Sequence, residues 1–181
     1  MRYSIHIVLA SLLISSLTSC AFQPPKDINS SFYTTPIGSQ LKLHRALTIP
    51  ANNTQVRIQN GEVINSYWDL DAYYPNCNLE LRERTEVARI IKPDTFIISR
   101  VTRDTENVML NKPTVVTGFS AGGSAPNVDY LTIMHLHSPR QPEVTQISCQ
   151  HWEDANDGSH LSIEKIRKTL DGLFTLTLVD D

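Results

Sequence analysis

Three groups of side chains in this chain are of the kinds that do chemistry. His135 and His137 lie two apart in a segment that reads as a strand, so both project from one face. His151 and His160 follow downstream, with Glu153, Asp154 and Asp157 near them. Two same-face imidazoles and a third ligand would suit zinc or copper. Asp69 and Asp71 flank Leu70 in Tyr67-Trp68-Asp69-Leu70-Asp71-Ala72-Tyr73-Tyr74-Pro75. Paired carboxylates serve as acid and base in glycoside hydrolysis, and acids set among aromatics also bind sugars or peptides. Gly118-Phe119-Ser120-Ala121-Gly122 has the G-x-S-x-G spacing of a nucleophile elbow, where a sharp strand-to-helix turn lifts a serine over an oxyanion hole.

The elements that must hold these groups weaken each chemical reading. Ser120 is followed by Gly123, Ser124, Ala125 and Pro126, which is a loop and not the start of a helix. The parity opposite the histidines, Tyr130, Thr132, Met134 and Leu136, mixes apolar and polar residues. The histidine face therefore reads as a solvated sheet face, and no metal or other cofactor is expected. Asp69 and Asp71 read as members of a solvated loop whose Trp68, Tyr73 and Tyr74 pack at the edge of the core. No catalytic residues are expected. Trp68, Asp69, Asp71, His135 and His137 stand as candidates for binding a ligand.

The scaffold reads as mainly β (α+β), an antiparallel sheet forming a small barrel or sandwich with one C-terminal helix. Short strands rich in β-branched residues recur between turn signals. They cover Leu41 to Leu43, Ala46 to Ile49, Val56 to Ile58, Glu62 to Ile64, Asn76 to Arg82 and Val87 to Ile91. Further strands are expected over Phe96 to Val101, Pro113 to Phe119, Val128 to Leu136 and Glu143 to Cys149. Asn60-Gly61 is a strong hairpin signal, because a type I′ turn needs positive φ at both central residues. Ile163, Ile166 and Leu170 recur at helical spacing after the N-cap candidate Ser162, with Gly172 placed to end the helix. Lys165, Arg167 and Lys168 are expected to face water. Phe174, Leu176 and Leu178 then alternate as a last strand.

The N-terminus has the layout of a secretory signal peptide: Arg2, an uncharged run from Ile5 to Leu13, then small residues up to Cys20. The run is shorter than the ~20 residues of a membrane span. Leu17-Thr18-Ser19-Cys20 resembles the lipobox of bacterial lipoproteins. The resemblance implies a diacylglyceryl group on the Cys20 sulfur, cleavage before Cys20, and acylation of the new amine by a chain such as palmitate. Several acyl chains make a lasting anchor where one is marginal. Ala21 is not the aspartate that tends to hold enterobacterial lipoproteins in the inner membrane, so the resemblance implies outer-membrane sorting. Residues 1–19 are expected to be removed. Residues 20–40, with Pro24, Pro25, Asn29, Pro36 and Gly38, are expected to be a flexible linker, and 41–181 a single domain.

With Cys20 assigned to lipid, Cys77 and Cys149 remain as a pair in an oxidising compartment, where a disulfide is the default. It would close a loop of about 70 residues, valued at roughly 4 kcal/mol by chain entropy. The formal charge is −3, which argues against nucleic acid as a partner. Ile49-Pro50-Ala51, Tyr73-Tyr74-Pro75-Asn76-Cys77 and Cys149-Gln150-His151-Trp152 occur in the order in which similar segments recur in a group of small proteobacterial lipoproteins. That resemblance brings no activity with it. The expectation is a lipid-anchored protein on the periplasmic face of the outer membrane. Its role would be structural or accessory in an envelope complex, with an envelope protein as partner. The alternative is a periplasmic binding module for a small ligand: a lipid, a glycan fragment or a metal.

Overall fold

Alternation of apolar and polar residues builds almost everything in this chain. The structure, a computed structural model, describes residues 26–108 and 127–179. The expected signal segment, Cys20, the strand expected at Pro113 to Phe119 and the Gly118–Gly122 motif lie outside the described residues. The strands are β1 (Gln40–Leu43), β2 (Leu47–Ile49), β3 (Gln55–Gln59), β4 (Glu62–Ile64), β5 (Asn76–Leu81), β6 (Arg89–Ile91), β7 (Asp94–Asn107), β8 (Asn127–His137), β9 (Val144–Asp154) and β10 (Phe174–Thr177). Eight of them form one antiparallel sheet in the order β10-β1-β7-β8-β9-β5-β3-β4, while β2 and β6 pair separately. Among the described residues the fold is mainly β with one α-helix toward the C-terminus, as expected. The sheet curls into a half-barrel and stays open between its two ends.

The inner face of the curl carries the core. Leu41, Phe96, Ile98, Met134, Ile147, Leu79 and Ile58 are each fully buried there. Helix α1 (Ile163–Leu170) covers them, burying Ile163, Ile166, Thr169 and Leu170. Its N-cap is Ser162, whose hydroxyl accepts from the Lys165 amide at 3.3 Å. Gly172 follows the helix at φ 77°. Arg167 departs from expectation: it is half-buried, and its Nε donates to the Leu176 carbonyl of edge strand β10 at 2.9 Å. The Asn60-Gly61 turn forms as expected, with φ of 52° and 77°. Its tip docks on the helix end, the Gly61 amide donating to the Thr169 carbonyl at 2.9 Å.

Cys77 and Cys149 lie directly opposite each other on neighbouring strands β5 and β9 and form a disulfide, 72 residues apart in sequence. Trp152 lies three residues from Cys149 on β9, so it projects from the other face of the sheet. It does not pack on the disulfide.

The expected linker needs a larger correction. From residue 26 onward it is part of the domain. Ile28 and Tyr33 pack against the core, and Thr35 and Ser39 are buried. The Ile28 carbonyl accepts from the Glu164 amide in the first turn of α1 at 3.0 Å. Arg103 on β7 donates to the carbonyls of Ser31 and Tyr33, at 2.6 and 3.0 Å. The Gly38 amide donates to the Ile98 carbonyl at 2.9 Å. Proline, glycine and asparagine thus mark an irregular strap whose backbone bonds are satisfied by the sheet and helix it crosses.

Candidate functional site

The segment between β4 and β5 is short on apolar alternation and rich in aromatics, and one buried side chain gives it shape. Gln59, at the end of β3, donates its amide to the carbonyls of Asp71, Tyr74 and Pro75, at 2.8, 3.3 and 3.4 Å. Its oxygen accepts from the Asp71 amide at 3.2 Å. The Asp71 side chain turns back on its own loop and accepts from the Tyr73 amide at 3.1 Å. The Trp152 amide, extending the β9 edge, donates to the Ala72 carbonyl at 2.8 Å. Before this pinned stretch, Tyr67–Asp69 forms a single 3₁₀ turn. The Trp68 amide there is held by the Ser66 hydroxyl at 3.2 Å.

This loop lies along the outer face of β8 and β9. Tyr73 meets Trp152 edge-on, ring centroids 5.9 Å apart, and its hydroxyl accepts from Asn127 Nδ2 at 2.8 Å. Trp68, Asp69, Leu70, Asp71, Ala72, Tyr73 and Trp152 together line a shallow groove. Trp68 is 90% exposed, Tyr73 53% and Tyr74 63%. Large aromatics at such exposure on a loop this firmly held form a surface that water solvates poorly.

Asp129 lies beneath the groove wall. It pairs in register with Trp152 across β8 and β9, is buried, and its Oδ1 has no hydrogen-bond partner among the described residues. Burial pushes the carboxyl up to about 6; the nearby Glu106 adds to this, while a hydrogen bond from Trp152 opposes it. An acid destabilised as a carboxylate beside a surface cleft is the pattern expected of a recognition or catalytic site. The sequence does carry a signal for it. Asp129 shares its parity with Leu131 and Ile133, which marks that end of the outer face as partly covered.

No family model, curated protein or solved structure matches the chain. Of the residues singled out from sequence, Trp68, Asp69 and Asp71 do meet at one site. His135 and His137 do not join them. They lie on the same outer face but six or more residues along β8 from Asp129, about 20 Å at ~3.3 Å per residue.

His135, His151 and His160 each have a neighbour in the fold. His135 Nε2 accepts from Arg100 at 2.8 Å; burial lowers its pKa and the Arg100 charge lowers it further. That contact occupies the lone pair a metal would need. His151 and His160 belong to the inner face, on either side of Tyr130. The first stacks on its ring at 6.0 Å, and the second meets it edge-on at 5.7 Å. His151 Nε2 contacts Glu153 Oε2 at 3.0 Å. Among the described residues no three His, Cys, Asp or Glu side chains converge to hold a metal ion.

Proposed function

We propose that this chain is a lipid-anchored envelope protein, held through Cys20 at the periplasmic face of the outer membrane. It acts without catalysis as an accessory to an envelope complex. It docks a protein partner on the groove formed by Trp68, Tyr73 and Trp152. The observation that carries the docking is the exposure of Trp68, Tyr73 and Tyr74 on a loop that Gln59 fastens to the sheet. Tryptophan and tyrosine dominate binding energy where they become desolvated. A loop already fixed in place also loses little entropy on association. The lipobox pattern and the short apolar run before it support the anchor.

A glycan fragment is the second reading for the same groove. The buried Oδ1 of Asp129 next to Trp152, without a hydrogen-bond partner among the described residues, favours it, because a sugar hydroxyl would supply a donor beside an aromatic platform. One paired experiment tests the proposal in the encoding bacterium. Cys20→Ala should abolish incorporation of labelled palmitate and release the domain from membranes. A photoreactive residue in place of Trp68 should give one discrete protein crosslink, lost on Tyr73→Ala. Palmitate-independent membrane attachment would refute the anchor. A Trp68 position that crosslinks to no protein, with sugar binding to the purified domain, would transfer the groove to the second reading.

A further inference from the structure

The strap displays apolar side chains that its own backbone bonds prevent from turning inward. Phe32 is 92% exposed and Ile37 66%. Between and beside them, the carbonyls of Ser31 and Tyr33 are gripped by Arg103, and the Gly38 amide is bonded to Ile98. Phe32 and Ile37 lie in turns at the two ends of the strap and face out, while Tyr33 and Thr35 between them face the protein. Val179, 57% exposed, joins this edge: its amide donates to Ser39 Oγ at 3.2 Å, and the Gly38 backbone lies against its side chain.

What covers this row follows from where the chain leads. On the reading given above, Cys20 carries the lipid, and only five residues separate it from Lys26, where the described strap begins. Fully extended, the six steps from Cys20 to Lys26 reach at most about 22 Å, at ~3.3–3.6 Å per residue. The domain therefore cannot stand far from the surface that holds its anchor, and the strap is the part next to it. We propose that Phe32, Ile37 and Val179 form a second membrane contact. They would insert among the headgroups and upper acyl chains of the leaflet that holds the Cys20 lipid. Apolar residues placed at the bilayer boundary add their transfer energy to that of the acyl chains.

This contact fixes an orientation. Arg103, which binds the strap, and Glu106, which pairs in register with Asp129, lie three apart on β7 and so project from opposite faces of the sheet. With the strap on the bilayer, the groove of Trp68, Tyr73 and Trp152 faces away from it.

The inference rests on Cys20 lipidation, and the test separates the two. The lipidated protein is purified and reconstituted into phosphatidylethanolamine–phosphatidylglycerol vesicles with brominated acyl chains, which quench tryptophan at the membrane. The native tryptophans, Trp68 and Trp152, both belong to the groove. The wild-type chain should keep its emission, whereas Phe32→Trp should add emission that brominated lipid largely removes. Mass analysis of the N-terminal fragment reports the acyl chains independently. An acylated chain whose added Phe32→Trp emission is unquenched overturns the membrane contact and leaves the anchor standing. Quenching of the wild-type tryptophans overturns the orientation. An unacylated Cys20 overturns both readings, since the tether that brings the strap to the bilayer is then absent.

Discussion

Asp129→Asn should stabilise this protein at neutral pH, and the size of the gain follows from the carboxyl's surroundings. Burial raises Asp129 from 3.8 to about 6, with Glu106 adding to the rise. A group with a higher pKa in the folded state than in the unfolded state contributes stability that is fully present below the unfolded value. That stability is lost as pH rises through the folded value. The loss therefore develops between about pH 4 and pH 7, and a shift of this size corresponds to about 3 kcal/mol at ~1.4 kcal/mol per unit. Asparagine keeps an oxygen to accept from Trp152 and carries no charge at any pH in this range. Urea unfolding followed by fluorescence should show the two proteins nearly equal at about pH 4. The variant should lead by up to about 3 kcal/mol at pH 7.5, a midpoint shift of roughly 1–3 M for ordinary m-values. Asp94 does not confuse the comparison. Burial pushes its carboxyl up, but bonds from Ser138, Gln141, Thr95 and Arg140 outweigh this and hold it low, identically in both proteins. A pH-independent difference, or a variant weaker than wild type at pH 7.5, would refute the assignment of Asp129 as the strained acid of the groove.

Gly61→Ala should cost about 2–3 kcal/mol, because the new Cβ would meet the Asp171 carbonyl oxygen at 2.2 Å as well as a φ of 77°. Gly172→Ala, at the same φ with nothing within 4 Å, should cost only about 1 kcal/mol by thermal unfolding. Gln59→Leu should cost about 1–3 kcal/mol by leaving the loop carbonyls of Asp71, Tyr74 and Pro75 unpaired. Limited proteolysis should then cut between residues 66 and 75, where the wild type resists. His160 has its pKa lowered by burial, with the Arg103 and His151 charges adding to the effect. Its contribution to stability is thus complete above the unfolded value of about 6.5 and is lost as pH falls below it toward the folded value. His160→Gln should flatten that acid-side loss in denaturant midpoints.

Local signals in the sequence foretold local structure well. Asn60-Gly61 and Ser162 each act through their immediate neighbours, and both do what their chemistry implies. Strand parity also placed the two histidines on the outer face of β8. What parity could not supply was order across the sheet. Nothing in Gln40–Leu43 indicates that it lies between β7 and β10. The strap was illegible for a related reason. Its bonds go to Arg103, Ile98 and Glu164, far along the chain, while its own prolines and glycine read as a break in structure. The groove was half legible. Trp68, Asp69 and Asp71 announce themselves as aromatics among acids, but Asp129 acquires its strain only when the assembled sheet buries it and brings Glu106 alongside from β7. The end of β9 was also placed too early, at Cys149 in place of Asp154, because His151, Trp152 and Glu153 lack clean alternation.

The position of β1 has a kinetic consequence. Gln40 pairs with Ile97 on one side and with Thr177 on the other, so the N-terminal strand is flanked on one edge by nearly the last residues of the chain. Loop closure over such a distance must precede any reward from the contact. A chain synthesised N-terminus first therefore waits for β10 before its sheet is complete. Until then β1 presents an open hydrogen-bonding edge, the kind that recruits other strands. A truncation that removes β10 would leave that edge permanently exposed, and an aggregating chain would be its first symptom.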